Sequence, residues 1–327
     1  MSKQHFTDDF VLAIQKDSTL DEQAKSIIFR NLARLKDTKV NILITGATGC
    51  GKSSTINALF DAEKAKVGQG VDPETMDIQR YDLDNIVLFD SPGLGDGKEA
   101  DRRHAKNIID KLYEKNSDGD LLIDLVLVIL DGSSRDLGTS FEMINNVIIP
   151  NLGEDTKRLL IAINQADVAM KGRGWNHQDN KPEPVLVNFL EEKVQSTHRR
   201  IKEATGVDTM PIYYAAGYKE GANQQRPYNL SKLMLHILRN TKQEKRAVFA
   251  QDINKDKEMW KDDDKLEDYR SEIRETMWES VKSSASKGAD IGGDIGAIFG
   301  GVGRAVGSVV GGVIGGVVGA ITSFFGW

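Results

Sequence analysis

Residues 46–53 read GATGCGKS and directly follow a short apolar run, VNILIT, at Val40–Thr45. An apolar run of this length predicts a buried strand, and the residues after the lysine have the apolar spacing of a helix. The pattern G-x-x-x-x-G-K-[S/T] between a strand and a helix is typical of a phosphate-binding loop. Its glycines let backbone N–H groups surround phosphate oxygens, and the helix directs its positive N-terminus at the same anion.

We expect the whole loop and the residue after it to contact phosphate: Gly46, Ala47, Thr48, Gly49, Cys50, Gly51, Lys52, Ser53 and Ser54. The Lys52 ammonium can reach the β- and γ-phosphates, and the Ser53 hydroxyl can bind Mg²⁺. Cys50 is the single cysteine of the chain. A small filler residue is the simpler interpretation of Cys50, because a redox role requires a lowered thiol pKa.

Short apolar runs and helical stretches alternate after this loop. The apolar runs predict parallel strands at 40–45, 85–89, 122–130, 159–163 and 210–214, with an edge strand at 78–83. The apolar spacing predicts helices near 53–61, 98–116, 138–149, 185–205 and 228–240, and a surface loop at 171–184. Strands that alternate with helices predict an α/β fold whose mainly parallel sheet is covered on both faces.

A second candidate element ends the strand predicted at 85–89, where the sequence continues DSPG from Asp90 to Gly93. An aspartate at the end of a strand beside the phosphate loop can hold the shell of a Mg²⁺ ion, and the Gly93 N–H can contact a γ-phosphate. Residues 61–90 contain a single Ser or Thr, Thr75. We therefore expect Thr75 to close on Mg²⁺ and the γ-phosphate; an ordinary surface threonine is the alternative.

A third candidate element follows the strand predicted at 159–163, where the sequence reads NQAD. The carboxylate of Asp167 can accept two hydrogen bonds from guanine, through N1–H and the 2-amino group. Adenine does not offer that pair, so the carboxylate discriminates between the bases. We expect Asn164 to tie this loop to the phosphate loop. NQAD resembles N-K-x-D, the guanine-recognition motif of GTPases, with Gln165 in the place of the lysine.

GATGCGKS, Thr75, DSPG, NQAD and the AAG at 215–217 stand in the order expected of a translation-factor-class P-loop GTPase. The chain is similar to Era-like GTPases of the bacterial type carried on prophages and genomic islands. DSPGLGDG also resembles a motif of septins and immune-associated GTPases. The resemblance covers about residues 39–240 and implies a Ras-like three-layer α/β fold with GTP or GDP and Mg²⁺ as cofactors. It also implies hydrolysis of GTP, with Lys52, Thr75 and Gly93 serving catalysis.

The resemblance assigns the backbone of Ala215, Ala216 and Gly217 to the guanine oxygen, as in the S-A-K loop. Gln165 departs from the family pattern, and the loss of the lysine stem predicts weaker or less strict guanine binding. Leu94 is a second departure, because Ras-type proteins have a water-orienting glutamine there. We therefore expect turnover well below the roughly 1–100 s⁻¹ of kinases.

Three consecutive basic residues follow DSPG, namely Arg102, Arg103 and His104. We expect a solvated helix face, and an arginine finger acting in a dimer is the alternative. Arg135, after the strand predicted at 122–130, allows the same alternative.

The segments outside the nucleotide domain differ in composition. We expect N-terminal helices at 1–38, the nucleotide domain at 39–240, a charged helical linker at 241–287 and an apolar tail at 288–327.

The tail contains 14 of the 31 glycines, many at a four-residue period that places them on one helix face. Residues 305–327 carry no charge, and as a helix they would span about 34 Å, against roughly 30 Å of bilayer hydrocarbon. Three interpretations stay open: a membrane-inserting glycine-zipper helix, a hairpin folded on the nucleotide domain, or a flexible tail.

Composition limits the partners and the location. The net charge of −6 argues against general nucleic-acid binding. One cysteine excludes an intramolecular disulfide, and residues 1–9 lack a signal-peptide pattern, so we expect a cytoplasmic protein, peripheral to or inserted in the inner face of the membrane. Expected partners are guanine nucleotide, membrane lipid and a second copy, bound through the nucleotide domain or the tail.

The leading hypothesis is a GTP-hydrolysing switch that controls membrane association. The alternatives are an RNA- or ribosome-binding GTPase and a nucleotide-gated membrane effector in phage defence.

Overall fold

The computed structural model describes residues 5–16, 22–60, 66–68, 78–93, 97–220 and 223–286. Its helices are α1 Phe6–Lys16, α2 Glu22–Asp37, α3 Lys52–Phe60, α4 Lys98–Tyr113, α5 Gly138–Glu142, α6 Pro184–Thr205, α7 Leu230–Arg239, α8 Phe249–Asp252 and α9 Tyr269–Ser286. Its strands are β1 Val40–Thr45, β2 Lys66–Gly68, β3 Gln79–Asp82, β4 Ile86–Asp90, β5 Leu125–Asp131, β6 Leu159–Asn164, β7 Trp175–Asn176, β8 Lys181–Pro182, β9 Ile212–Tyr213, β10 Tyr218–Glu220 and β11 Asn223–Gln225. A π-helical turn, Met143–Ile148, continues α5.

The main sheet has the strand order β2-β3-β4-β1-β5-β6-β9. Strands β4, β1, β5, β6 and β9 are parallel, whereas β2 and β3 pair antiparallel at one side. This arrangement confirms the predicted Ras-like α/β fold with a mainly parallel sheet. The strand predicted at 78–83 is not at the edge, because β2 pairs with its outer side. Only three residues form β2, too few to leave an alternating pattern in the sequence.

Successive residues of the central strand enter two separate hydrophobic cores. Ile42 and Ile44 of β1 belong to one core, which includes residues of α2, α3, α7 and α9. Leu43 belongs to the other core, which includes residues of α4, α6 and the π-helical turn. Because β1, β5 and β6 are buried on both faces, they are almost continuously apolar, as parallel strands covered by helices must be.

Residues 241–286 pack onto the domain and are not a solvated linker, which corrects the expectation from their charge. Phe249, Trp260, Ile273 and Met277 are each at most 1% exposed. Phe249 lies against Phe60 of α3, with ring centroids 6.4 Å apart. The segment has a charged average composition because charged residues separate these apolar positions. The apolar side chains nevertheless all enter one hydrophobic core.

The turn between β3 and β4 is held by both flanking segments. The carboxylate of Asp252 in α8 accepts hydrogen bonds from the backbone N–H groups of Asp84, Asn85 and Ile86, at 3.0, 2.5 and 2.7 Å. His5, which precedes α1, hydrogen-bonds the Asn85 side chain through Nε2 at 2.9 Å. The N-terminal and C-terminal segments therefore meet at one buried polar cluster beside the sheet.

The loop predicted at 171–184 contains the short β7–β8 hairpin. Trp175 is 6% exposed and contacts the Tyr228 ring edge-on, with centroids 5.4 Å apart. Asn180, at 5% exposure, donates to the backbone oxygens of Arg226 and Pro227. This segment is thus fixed to the chain that follows β11.

The glycine-rich tail at 288–327 lies outside the described residues. In the part of the chain that the structure does describe, no helix has the length and hydropathy needed to cross a bilayer.

Candidate functional site

The phosphate loop joins β1 to α3 at the carboxyl end of the parallel strands. Gly51 has φ +90°, a left-handed conformation that glycine adopts without strain. A Cβ at Gly51 would also lie 2.2 Å from Nδ2 of Asn164, so this position leaves no room for a side chain. α3 begins at the next residue, and the N-terminal turn of this helix therefore faces the concave loop.

The Lys52 side chain bends back over the loop. Its Nζ donates to the backbone oxygen of Gly46 at 2.8 Å and to that of Ala47 at 3.4 Å. Thr48, Ser53 and Ser54 are exposed, and the two serines lie in the first turn of α3. The loop thus combines the Lys52 ammonium with helix N–H groups and hydroxyls, which is the donor set that a polyphosphate requires.

Asp90 ends β4, beside Ile44 of β1 in the sheet register. Its Oδ1 is buried and has no hydrogen-bond partner among the described residues. Burial raises the pKa of the Asp90 carboxyl, and the charge of Lys52 partly opposes that shift. A buried carboxylate oxygen without a donor suits a hard cation such as Mg²⁺, so the residues present fit the expected metal.

The DSPG backbone lies directly against the phosphate loop. A Cβ at Gly93 would be 2.3 Å from the Gly46 oxygen and 2.7 Å from the Ala47 Cα. The Gly93 oxygen lies 3.1 Å from Nδ1 of His104, which is 6% exposed. His104 therefore does not belong to a solvated helix face, which corrects that expectation. α4 turns it inward, whereas its neighbours Arg102 and Arg103 are exposed. Thr75 and Leu94 lie outside the described residues.

Asn164 ends β6 and connects the loops of the site. Its Nδ2 donates to the Cys50 oxygen at 2.9 Å, and its Oδ1 accepts from the Ala216 N–H at 2.9 Å. The Asn164 residue is 2% exposed, so both bonds are shielded from water. One amide side chain thus joins the phosphate loop to NQAD and to the segment at 215–217.

Gln165 adopts φ +61° and points its amide at the phosphate loop. Its Nε2 donates to the Gly49 oxygen at 2.6 Å, and its Oε1 accepts from the Ser133 hydroxyl at 3.4 Å. A neutral amide therefore makes the contact between the loops at this position. The weaker guanine binding expected from Gln165 stays a prediction.

Asp167 lies in a 3₁₀ turn, Ala166–Val168, just after NQ. Burial raises the pKa of its carboxyl, and hydrogen bonds from its own backbone, from Gln225 and from the backbone of Val168 oppose the shift. Nε2 of Gln225 donates to Asp167 Oδ2 at 3.2 Å. Sequence analysis missed Gln225, because the short strands around it carry no motif.

Cys50 is buried behind the loop, and burial raises the pKa of its thiol to about 11. A reactive cysteine requires the opposite shift. These properties agree with the filler interpretation.

Comparison with known proteins gives the family context. Residues 41–165 match the sequence model of the family described as 50S ribosome-binding GTPase. The protein YfjP of Escherichia coli K12 is 30% identical over 154 residues, which cover 46% of this chain and 49% of that protein. Translocase of chloroplast 108 of Physcomitrium patens is 36% identical over 109 residues, which cover 31% of this chain and 10% of that protein. The chain thus spans between a tenth and a half of the length of these relatives.

Among solved structures, Toc33 from Arabidopsis thaliana in complex with Mg²⁺ and GMPPNP is 15% identical, with a TM-score of 0.37. That match covers 65% of this chain and 84% of the Toc33 chain. A probable GTP-binding protein, engB, matches 62% of this chain at 20% identity, with a TM-score of 0.36. P-loop GTPase domains bind GTP or GDP together with Mg²⁺. Residues 41–165, which are less than half of the chain, are similar to the model of that family, and with the phosphate loop and the sheet topology this match indicates a P-loop GTPase domain.

Proposed function

We propose that this chain is a switch that binds guanine nucleotide with Mg²⁺ and hydrolyses GTP to GDP and phosphate. The observation that carries the proposal is the pair of hydrogen bonds made by Asn164, at 2.9 Å each. They connect the phosphate loop to both candidate base loops, and the Asp167 carboxylate lies in the 3₁₀ turn that follows Asn164. A site for phosphate alone would not need this connection.

The phosphate end of the site is assigned to residues of the first two motifs. The N–H groups of 46–54 and the Lys52 ammonium bind the phosphates, and the Gly93 N–H contacts the γ-phosphate. Ser53, Thr75 and Asp90 are proposed to hold the metal shell. Mg²⁺, when bound, neutralises charge on the β- and γ-phosphate oxygens. Because the residue after DSPG is leucine, this chain must orient water by another group, and we expect a slow intrinsic rate.

The base end of the site is assigned to 164–167 and 215–217. Asp167 is proposed to accept from guanine N1–H and the 2-amino group, and the backbone of 215–217 to contact the guanine oxygen. Titration calorimetry with GDP and ADP tests this assignment on the wild type and on Asp167→Asn. We expect the wild type to prefer GDP by at least tenfold and Asp167→Asn to lose that preference.

Asp179→Asn is a matched control, because Asp179 is an exposed aspartate in the β7–β8 turn. We expect this variant to keep the wild-type preference. If the wild type bound GDP and ADP equally, the proposed base recognition would be wrong.

The second part of the proposal couples the nucleotide state to a membrane through the tail at 288–327. It rests on the glycine-periodic sequence of that segment, of which residues 305–327 carry no charge, and on the charged character of the rest of the chain. Flotation with vesicles of mixed neutral and anionic lipid should recover the full chain but not a chain shortened to 1–287. Equal recovery of both chains would contradict the membrane role, and release of a trapped dye that depends on GTP would favour the membrane-effector alternative.

A ribosome-binding GTPase is the second candidate, and the description of the matching family favours it. The net charge of −6 opposes a large contact with RNA. Co-sedimentation with 50S subunits in the presence of GMPPNP or GDP tests this candidate. Binding that requires GMPPNP and survives removal of the tail would favour it over the membrane role.

A further inference from the structure

Gln225 is a half-buried residue that none of the nucleotide motifs includes. It ends β11, where its backbone lies opposite Tyr218 of β10. Its amide nevertheless contacts a residue that is 58 positions away in the sequence: Nε2 donates to Oδ2 of Asp167 at 3.2 Å. A side chain outside the motifs therefore contacts the carboxylate to which we assign base recognition.

The position of Gln225 is set by backbone contacts around it. Ala215 and Tyr228 exchange two backbone hydrogen bonds, at 3.0 and 2.9 Å, which close the base of the β10–β11 hairpin. Gly217 has φ +72°, and a Cβ there would lie 2.3 Å from the Gln225 oxygen. The hairpin can therefore return this close to the base loop only because residue 217 is glycine. The ring of Tyr228 is in turn held by Trp175.

A carboxylate has about four acceptor positions, and the two guanine donors occupy two of them. The Asp167 carboxylate also accepts from its own backbone and from that of Val168, and both of these donors belong to its own turn. The Gln225 amide adds a donor from a different segment at Oδ2, and its loss leaves the rotation of the carboxylate less restrained. Burial opposes the charged form of Asp167, and a hydrogen bond from a neutral donor supports that form without adding charge.

We propose that Gln225 is a positioning residue for guanine recognition: its amide N–H holds the Asp167 carboxylate in the orientation that accepts both guanine donors. This inference rests on the proposed function of Asp167. Gln225 acts through that carboxylate and does not contact the nucleotide itself.

The test uses the full chain with Mg²⁺, the variants Gln225→Met and Gln225→Glu, and the ligands GDP, IDP and pyrophosphate. Methionine keeps the length of the side chain and removes the donor, whereas glutamate replaces the donor with a second carboxylate. Loss of one hydrogen bond to a charged group should weaken GDP binding about tenfold. Gln225→Glu should weaken it by more, because like charges repel at this distance.

IDP lacks the 2-amino group, so the preference for GDP over IDP should shrink in Gln225→Met. Affinity for pyrophosphate should stay within twofold of wild type, because the phosphate loop is unchanged, and this measurement also reports a folded site. Gln178→Met is the matched control: it makes the same change at an exposed glutamine in the β7–β8 turn and should leave all three affinities unchanged.

Combining Gln225→Met with Asp167→Asn separates positioning from direct contact. If Gln225 acts through Asp167, the methionine change causes no further loss of GDP affinity in the Asp167→Asn variant. A further tenfold loss there would mean that Gln225 contacts the base, and the proposal would be overturned. Equal binding of GDP and ADP by the wild type would refute the proposed function. Wild-type discrimination together with normal GDP binding by Gln225→Met would refute only the role of Gln225.

Discussion

Replacing Asn164 with alanine should separate the loops of the site. The change removes two buried hydrogen bonds of 2.9 Å, one to the Cys50 oxygen and one from the Ala216 N–H. Each group left without a partner in a water-free position costs about 1–3 kcal/mol, so the loss is about 2–6 kcal/mol of unfolding free energy. This is a large part of the roughly 5–15 kcal/mol typical of a folded domain.

Urea denaturation without nucleotide measures this loss from the midpoint, provided that the slope of the transition stays constant. Asn176→Ala is the matched control, because Asn176 accepts from two backbone N–H groups of its own turn, those of the exposed Gln178 and Asp179. Water can replace those bonds, so we expect a loss of about 1 kcal/mol or less.

Asn164→Asp provides a second measurement on the same position. The carboxylate keeps the size of the side chain and still accepts from Ala216, but it has no donor for the Cys50 oxygen. We expect destabilisation close to that of Asn164→Ala, together with weaker GDP binding. If both variants unfolded at the urea midpoint of the Asn176→Ala control, Asn164 would not be the connection that we infer.

Three further predictions follow from contacts and burial. Gly93→Ala would place a Cβ 2.3 Å from a backbone oxygen of the phosphate loop, so overpacking should cost about 1–3 kcal/mol and weaken GMPPNP binding more than GDP binding in calorimetry. Gly138→Ala, whose Cβ would meet only a flexible carboxylate at 3.1 Å, should leave both affinities unchanged. Asp252→Asn replaces one of the two oxygens that accept three backbone N–H groups at the β3–β4 turn, so urea denaturation should show a loss of about 1–3 kcal/mol. Burial lowers the pKa of His236 from 6.5 to about 4, so the unfolded chain takes up the proton first as the pH falls. His236 should therefore lower the unfolding free energy by up to about 3 kcal/mol between pH 6.5 and 4, and His236→Gln should reduce the pH slope by that contribution in urea denaturation at a series of pH values.

Local chemistry explains why much of the site is predictable from sequence. A phosphate loop needs glycine and lysine at fixed spacing after a strand, and GATGCGKS shows this without knowledge of the rest of the chain. The predicted contact between Asn164 and the phosphate loop is present in the structure at 2.9 Å. Residue type and position within a motif were sufficient for this contact, because the family pattern encodes the geometry.

The contacts that sequence analysis missed join distant parts of the chain through residues of ordinary type. Gln225 lies 58 residues from Asp167, and Asp252 lies 167 residues from Asn85. His104 was misassigned because its two basic neighbours suggest a solvated face, although the helix turns the third residue inward. Such contacts depend on how elements pack, and neither hydrophobic periodicity nor charge reports that packing.

The packing of the C-terminal segment determines where the tail can be removed without damage to the domain. Ile273, Met277 and Val281 of α9 are at most 1% exposed, and Asp252 holds the β3–β4 turn. A chain cut after residue 240 would lose these apolar contacts and leave three backbone N–H groups of the turn without their acceptor. Each such group costs about 1–3 kcal/mol, so a shorter chain of that kind would test folding and not membrane binding. A chain that ends at residue 287 keeps all of these contacts, and a loss of vesicle binding on shortening to that point therefore reports on the tail alone.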